Sequence, residues 1–321
     1  RGIHKVKIIR EKIKKTMIQN QKTIKNPVSC TGVGLHTGVE STITFHPAEE
    51  NFGIKFMRND QNDQIITPDI DNVVDLTRGT TIEEHGIRVH TTEHVMSACA
   101  GMGINNLLIE LNSKEPPVMD GSSKDFVSAL KMGGIIEQKA KVQFLKITKP
   151  VFYADEEKDV EVVAVPYNDF KTTFTIHYDL EELDVQYSSV QNMYTNYEKQ
   201  IAPARTFCLL SEVASLEKQG LIKGGNLGNA VIIVDTAIDN QEVQFFKKRF
   251  GIKFYEGTRG LYKSQILRFK NEPVRHKTLD LIGDLALLGK PILGHITAIK
   301  SGQKGNVEFA KLLREEFKDQ F

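Results

Sequence analysis

The chain has 321 residues, of which 40% are hydrophobic and 26% are charged, as in an ordinary soluble globular protein of about two domains. Its formal net charge of +1 gives no support for a nucleic-acid partner, and no stretch reaches the roughly 18 apolar residues of a transmembrane segment. The cysteines are widely separated, which predicts buried thiols in a reducing cytosol rather than a disulfide set or a CxxC metal pair; they are Cys30, Cys99 and Cys208.

The first sixteen residues differ from the rest of the chain. They carry seven lysines and arginines against one acidic residue, Glu11, and they lack the apolar core of a secretory signal. The chain also starts without a methionine. We therefore expect residues 1–16 to be an upstream extension or an expression-derived remnant. A basic segment that contacts anionic lipid is the functional alternative.

The rest of the chain reads as two halves with the same order of elements. Residues 24–28 (IKNPV) open the first half, and residues 147–151 (ITKPV) open the second. Each half then has alternating strands, a helix followed by a strand, and a closing amphipathic helix, predicted at residues 124–132 and 307–317. If each half packs its helices on one face of a sheet, pairing of the halves through their helices places a site between them.

A fragment of the first half, Thr92-Glu93-His94, combines a capping residue with two groups that can do chemistry. Threonine can cap a helix whose first turn carries Glu93 and His94. Taken alone, His94 is an ordinary core or surface histidine. The fragment becomes informative only together with a second fragment.

The second fragment is a polar stripe on one helix of the second half. His276, Asp280 and Asp284 are spaced so that they lie on one face of an otherwise apolar helix. Burying such a stripe is costly unless its polar groups are satisfied, either by a divalent cation or by a buried His–Asp hydrogen bond.

The two fragments together predict a zinc site. Imidazole and carboxylate suit zinc, and hydrolytic zinc sites have three protein ligands and an open fourth position. His94, His276 and Asp280 are the expected ligands of Zn²⁺. Glu93 is the expected base for a water at the open position.

These fragments and four further motifs resemble the zinc-dependent deacetylase family of lipid A biosynthesis, which acts on UDP-3-O-acyl-N-acetylglucosamine. The further motifs are GVGLHTG at 32–38, MDGS at 119–122, ARTFC at 204–208 and KGGN at 223–226. The resemblance implies a cytoplasmic hydrolase of Gram-negative bacteria that removes the N-acetyl group and releases acetate. It also implies peripheral, transient contact with the inner membrane surface, and we expect a monomer.

The resemblance implies an α+β fold as well. The family has two similar β-α-α-β domains, with helices sandwiched between two sheets and an insert in each domain. We expect domain I at residues 17–138 and domain II at residues 139–321. The domain II insert is expected at about 205–235, as a β-α-β unit that encloses the acyl chain. A further insertion at about 236–265 either covers a lipid or packs on the domain surface.

The resemblance also assigns roles to individual residues. Thr206 matches the threonine that stabilises the developing oxyanion, for which a helix cap is the plain alternative. Asp284 is expected to orient a catalytic group or a ligand rather than to bind zinc. Lys277 and Lys300 match positions that face the diphosphate, and solvated surface lysines are the plain alternative. The remaining expected substrate-binding residues are Phe207, Lys223 and Gly225, the last as a turn former.

One position departs from the family. The turn after the last core strand carries a histidine in the family, which protonates the leaving amine or stabilises the oxyanion, and here residues 300–306 place Gln303 there. Glutamine donates a hydrogen bond but cannot transfer a proton near neutral pH. His295 lies inside a strand and is a poor substitute. Reduced activity, an engineered inactive form and another proton donor all stay open.

Two alternative functions also stay open. The first is a non-catalytic relative that binds a UDP-sugar or an acyl chain, which Gln303 makes possible. The second is the deacetylase part of a fusion with a hydroxyacyl-carrier-protein dehydratase. Because the sequence ends soon after the last core helix, we expect the second alternative to involve a longer gene product.

Overall fold

A computed structural model describes residues 19–178, 180, 183–236, 240–251, 260–262 and 265–321. The expected extension at 1–16 lies outside the described residues. The same is true of residues 237–239, 252–259 and 263–264 within the expected insertion at 236–265.

The first half contains a five-stranded sheet, two helices and a small separate sheet. Its elements are β1 (Asn20–Ile24), β2 (Val28–Val33), β3 (Glu40–Pro47), β4 (Ile54–Arg58), β5 (Gln64–Ile66), β6 (Val73–Asp75), β7 (Thr81–Glu84), β8 (Ile87–Val89), α1 (Glu93–Gly101), β9 (Leu107–Leu111), α2 (Lys124–Met132) and β10 (Ile135–Lys141). The strand order is β2-β3-β9-β4-β5, in which only β4 and β9 are parallel. The three strands β6-β7-β8 form an antiparallel insert.

The second half repeats this arrangement. Its elements are β11 (Leu145–Lys146), β12 (Val151–Asp155), β13 (Val160–Val165), β14 (Phe170–His177), β15 (Val185–Val190), α3 (Met193–Gln200), β16 (Phe207–Leu209), α4 (Leu210–Lys218), β17 (Val231–Val234), α5 (Asn240–Phe250), β18 (Gly260–Leu261), α6 (Glu272–Ala286), β19 (Ile292–Ile299) and α7 (Gln303–Glu316). Short 3-10 turns occur at Asn59–Gln61, Ile70–Asn72, Glu156–Lys158 and Lys318–Gln320. The main strand order is β12-β13-β19-β14-β15, with β14 and β19 parallel, and β11 also pairs in parallel with β19.

The two sheets owe their buried faces to alternation along the strands. In β3, the side chains of Ile43 and Phe45 are fully buried, and in β13 the same holds for Val162 and Ala164. Successive strand residues point to opposite faces, so each sheet presents one apolar face to the helices. Burial of each large apolar side chain stabilises the fold by about 1.5–3 kcal/mol. The α+β fold expected from the resemblance, with helices between two sheets, is confirmed.

Helices α1 and α6 pack against each other at the centre of the molecule. Gly283 of α6 faces the backbone of Glu93 in α1, and a Cβ on Gly283 would lie 2.1 Å from the Glu93 carbonyl oxygen. No larger residue fits there without separating the helices. This close approach brings the two expected site fragments together.

The structure differs from the sequence-based expectations at two places. Helix α7 begins at Gln303 rather than at 307, because its first turn is polar and carries no apolar periodicity. The hydroxyl of Thr92 does not cap α1; it donates instead to the Thr80 carbonyl at 3.1 Å. Strand β10, which contains the expected domain boundary at residues 138/139, pairs with β1. The helix predicted at 124–132 is confirmed as α2.

Within the residues described, no helix is both long enough and apolar enough to cross a membrane.

Candidate metal centre and active site

Three buried side chains from the two halves converge between α1 and α6. His94 lies in the first turn of α1, whereas His276 and Asp280 lie one turn apart on α6. Their ligand atoms all lie within 4.8 Å of one another, and no other group of three metal-binding side chains occurs among the described residues. The imidazole rings are nearly perpendicular, at 89°, with their centroids 4.9 Å apart.

The hydrogen bonds of this group leave one oxygen without a partner. Asp280 Oδ2 accepts from Lys277 Nζ at 2.8 Å, but the buried Oδ1 has no hydrogen-bond donor. It lies 3.3 Å from His276 Nε2 and 3.7 Å from His94 Nε2. A buried, unpaired carboxylate oxygen is costly. A divalent metal ion at the meeting point of the three atoms would satisfy it, so the residues present fit a metal site.

The tautomer of His276 agrees with a role as ligand. Its Nδ1 lies 3.0 Å from the carbonyl oxygen of Ala204 and can only donate to it, which leaves Nε2 with a lone pair. The backbone of Arg205 is held in turn by Glu272 of α6, which accepts from the Arg205 N–H at 3.0 Å and from its Nε at 2.8 Å. The pair of the partly buried Arg205 with the fully buried Glu272 thus fixes the loop that orients the histidine.

Burial sets the charge of the three ligands. Burial, together with the neighbouring His276, lowers the pKa of His94 to about 3, and burial also lowers the pKa of His276. Both imidazoles are therefore neutral and able to bind a metal at neutral pH. Burial by itself would raise the pKa of Asp280, but the Lys277 ammonium, which also donates a hydrogen bond to it, outweighs burial and lowers that pKa.

Glu93 lies next to His94 and is buried. Its Oε2 accepts from the backbone N–H of Thr80 at 2.9 Å. Burial and, after it, the carboxylates of Asp280 and Asp284 raise the pKa of Glu93 well above its ordinary value. A buried carboxyl group with a raised pKa is typical of a general base or acid in an active site.

Asp284 uses both oxygens within the protein. Oδ1 accepts from Thr80 Oγ1 at 2.6 Å, and Oδ2 accepts from Asn306 Nδ2 at 2.8 Å. Burial raises the pKa of Asp284 to about 7, against the effect of these two hydrogen bonds. Asp284 is not one of the three residues that form the metal-binding group. Sequence reasoning gave no role to Thr80 or Asn306, since neither belongs to a recognised ligand pattern.

A polar cavity of about 540 Å³ lies on one side of this centre. Lys277, Lys300 and Gln303 all line it, so the structure brings these three expected residues together. Lys277 Nζ is paired with Asp280, and Lys300 Nζ with Asp159 Oδ2 at 3.2 Å. The other basic residues of the wall are Arg78, Lys158 and Lys304.

A smaller apolar cavity, of about 110 Å³, lies between the second insert (the expected domain II insert at about 205–235) and Leu35, His36 and Arg78 of the first half. Strands β16 and β17, which precede and follow α4 in the sequence, pair in parallel. Thr206, Phe207 and Gly225 are among the residues that line the cavity. The apolar part of the wall includes Leu35, Leu210, Val213, Leu216, Ile222 and Phe250. Lys223 lines neither cavity; its backbone N–H faces the His36 carbonyl at 3.4 Å.

Arg78 lies on the wall of both cavities, which sequence reasoning did not indicate. It has a left-handed backbone with φ of 64°, and its guanidinium donates to both carboxylate oxygens of Glu212 at 2.6 and 3.1 Å. This ion pair joins the loop before β7 to α4. His295, in contrast, lies on β19 with its Nε2 2.9 Å from Thr173 Oγ1 and its ring beside Tyr167.

Two halves with the same strand order close on a buried His-His-Asp group, and this defines an α+β protein with a candidate metal site at the interface between the halves. A family model described as UDP-3-O-acyl N-acetylglycosamine deacetylase matches residues 21–250 and 256–315. The chain belongs to this family, and the resemblance found in the sequence is confirmed.

Several curated relatives are similar along most of the chain. A bifunctional enzyme LpxC/FabZ of Chlorobaculum tepidum is 45% identical over 303 residues, which is 93% of this chain and 65% of that protein. UDP-3-O-acyl-N-acetylglucosamine deacetylases of Thermodesulfovibrio yellowstonii and Chlamydia muridarum are 39% and 38% identical over 92% of this chain, and over 92% and 95% of their own lengths. The chain thus spans about two thirds (65%) of the length of the bifunctional relatives from C. tepidum and Bacteroides thetaiotaomicron.

Replacing His276 by alanine is expected to remove stoichiometric metal binding. Loss of a residue that hydrogen-bonds to a metal ligand weakens metal affinity by about 10–100-fold. Loss of the ligand itself should therefore weaken metal affinity by more than about 100-fold. Elemental analysis of protein dialysed against a limiting divalent metal measures this directly. His295→Ala is the matched control, because His295 contacts Thr173 rather than the centre. Equal metal content in both variants would contradict the assignment.

Glu272→Gln is expected to lower the free energy of unfolding at pH 7 by about 1–3 kcal/mol, since it removes a charge that accepts several hydrogen bonds. Burial by itself would raise the pKa of Glu272, but hydrogen bonds from Arg205 and Arg268 outweigh it and lower the pKa. The stabilisation is therefore present above the unfolded pKa of about 4.3 and is lost as pH falls through the lower folded value.

Urea unfolding at pH 7 and below pH 4 tests the Glu272 prediction. The difference between the parent and Glu272→Gln should shrink on acidification. Glu308→Gln is the control, because it removes a solvent-exposed partner of Lys311. It should lower the free energy of unfolding by less than about 1 kcal/mol at either pH. A difference that grows at low pH would show that the carboxylate form of Glu272 does not stabilise the fold.

Proposed function

We propose that this chain is a zinc-dependent amidohydrolase that removes the N-acetyl group of UDP-3-O-acyl-N-acetylglucosamine and releases acetate, in lipid A biosynthesis. The observation that carries this proposal is the unpartnered Asp280 Oδ1, which faces two neutral imidazoles beside Glu93. Family membership and relatives that are named as deacetylases of this substrate support the reaction.

Zinc is the proposed metal because of the donor set. Two imidazole nitrogens and one carboxylate oxygen, with an open fourth position, are the ligands of catalytic zinc in several hydrolases. When bound, zinc would polarise the amide carbonyl and make a water molecule acidic near neutral pH. His94, His276 and Asp280 would hold it, and the Ala204 carbonyl and the Lys277 ammonium would orient two of these ligands.

Glu93 is the proposed base. Its Oε2 is held by the Thr80 N–H, which leaves Oε1 to take the proton of the attacking water. The raised pKa of Glu93 favours proton uptake, and general base help of this kind is worth about 10²–10⁴-fold. Thr206 is the proposed donor to the developing oxyanion, and Asp284 is proposed to orient the groups around Glu93.

The two cavities suggest how the substrate is bound. The polar cavity gathers five basic side chains, including Lys277 and Lys300, and this suits a diphosphate. The apolar cavity of the second insert, with Phe207 and Gly225 in its wall, suits the acyl chain. Lys223 keeps a proposed part in binding, although its support comes from the motif rather than from a cavity wall.

Three broader proposals follow from the same resemblance. The two halves are proposed to be domains at residues 17–138 and 139–321, joined by β10. The protein is proposed to be a cytoplasmic monomer that makes transient contact with the inner membrane surface. Similarity to bifunctional LpxC/FabZ enzymes favours, as a second candidate, the deacetylase part of a longer fusion.

Restoring histidine at Gln303 is expected to raise kcat by about 10²-fold or more. Gln303 lines the polar cavity at the start of α7, but an amide cannot donate a proton to the leaving amine. Metal content and KM should stay nearly unchanged, because no proposed ligand is altered. Acetate release from UDP-3-O-acyl-N-acetylglucosamine is the measurement, made on the parent and on Gln303→His.

The control for this experiment is Lys304→His, which places an imidazole one residue further along the same wall. An equal gain from both variants would point to a general effect of added base rather than to position 303. Binding of substrate without turnover in either form would favour the non-catalytic alternative over the deacetylase.

Filling the apolar cavity is expected to discriminate against long acyl chains. Val213→Phe places a ring into a cavity of about 110 Å³. Excluding two methylene groups costs about 1.6 kcal/mol, which is about 15-fold in kcat/KM. Substrates with a short acyl group should be affected less. Val243→Phe makes the same change on α5, at a residue that packs against the same apolar cluster but does not line the cavity, and should leave chain-length preference unchanged. Equal losses for long and short chains in Val213→Phe would place the acyl chain elsewhere.

A further inference from the structure

Thr80 is a buried residue that contacts both sides of the site. It immediately precedes β7 in the first half and has no solvent exposure. Its backbone N–H donates to Glu93 Oε2 at 2.9 Å, and its hydroxyl donates to Asp284 Oδ1 of the second half at 2.6 Å. Its carbonyl oxygen accepts from the N–H of Thr92 at 3.0 Å. A single residue therefore ties the carboxylate of Glu93 to that of Asp284.

The chain of hydrogen bonds continues on the other side of Asp284. Asp284 Oδ2 accepts from Asn306 Nδ2 at 2.8 Å, and Asn306 Oδ1 accepts from Ser301 Oγ at 2.7 Å. Asn306 and Ser301 are both buried. Asn306 lies one helical turn after Gln303 in α7, so the chain ends at the segment that carries Gln303.

The carboxylate of Asp284 fixes the direction of the hydrogen bonds in this series. The carboxylate of Asp284 accepts on both oxygens, so Thr80 must donate its only hydroxyl hydrogen and Asn306 must present its amide NH₂. The Ser301 hydroxyl then faces the amide oxygen of Asn306. Fully satisfied buried networks of this kind hold their members in one arrangement.

We propose that Thr80 and Asn306 are positioning residues for the hydrolysis. By their hydrogen bonds to Asp284, they hold Glu93 in position relative to the first turn of α7. Neither side chain hydrogen-bonds to a proposed metal ligand. The inference rests on the proposed function. The physical reason is that the Thr80 N–H that holds Glu93 belongs to the residue that Asp284 anchors from the other half. A shift of about 1 Å in a reacting group can reduce the rate by about 10²-fold.

Comparison of Thr80→Val with Thr80→Ser distinguishes the effect of the hydroxyl from that of the rest of the side chain. Valine keeps the shape but cannot donate to Asp284, and we expect kcat to fall by about 10–100-fold while KM and zinc content stay unchanged. Serine restores the donor and should return kcat to within a few-fold of the parent. The matched control is Thr278→Val, because the buried Thr278 hydroxyl donates only to the Val274 carbonyl within α6.

A double-mutant cycle with Asp284→Asn tests whether Thr80 acts through Asp284. If it does, Thr80→Val should slow the Asp284→Asn enzyme far less than it slows the parent. Losses that simply multiply would overturn the inference. If Thr80→Val does not fold, as urea unfolding would reveal, Asn306→Ser replaces it in the same cycle with the same expected result.

The outcomes separate this inference from the proposed function. If the parent and Gln303→His both fail to release acetate from UDP-3-O-acyl-N-acetylglucosamine, the proposed function fails, and the positioning role fails with it. If both are active, three results overturn only the positioning role. These are a kcat of Thr80→Val equal to that of the parent, a kcat of Thr80→Ser no higher than that of Thr80→Val, and a loss of kcat in Thr278→Val as large as in Thr80→Val.

Discussion

Helix α1 lies so close to α6 that only a glycine fits between them at residue 283, where a Cβ would be 2.1 Å from the Glu93 carbonyl. This approach places the rings of His94 and His276 with their centroids 4.9 Å apart. Neither half holds the proposed metal site alone, since the first supplies His94 and the second supplies His276 and Asp280. A change that separates the two helices would therefore also separate the three proposed metal ligands.

Burying so many ionisable groups at one place is costly, and each is compensated in a different way. Asp284 has two neutral donors, Glu93 has one backbone donor, and Asp280 has the Lys277 ammonium on one oxygen only. The remaining oxygen of Asp280 has no hydrogen-bond donor, so a cation there would satisfy it. The proposed position of the metal thus rests on which hydrogen bonds are present as much as on the histidines.

The inserts of the two halves give the site its asymmetry. The sheets repeat the same strand order, whereas the polar cavity lies by α7 and the apolar cavity lies beside the insert around α4. Arg78 borders both cavities and pairs with Glu212 across the inserts. A substrate with a charged nucleotide part and an apolar chain would find both environments on either side of one metal centre. Gln303 stands in the wall of the polar cavity and is not one of the three proposed metal ligands.

The sequence by itself determined the elements and groups that depend on local periodicity. The spacing of His276, Asp280 and Asp284 placed them on one helix face, and the apolar pattern predicted α2 with its observed bounds. The motif resemblance added the fold and the family. These features can be read locally because helix and strand periods act over a few residues.

Only the tertiary structure decided which groups complete the site. Thr80 and Asp284 are 204 residues apart in the chain, and no periodicity connects a threonine before one strand with a carboxylate on a distant helix. The same holds for Arg78 with Glu212, which are 134 residues apart. The start of α7 at Gln303 also escaped prediction, because its polar first turn gives no apolar signal. Such contacts form only when the two halves pack against each other. Which residues meet depends on their distance in space rather than on their distance along the chain.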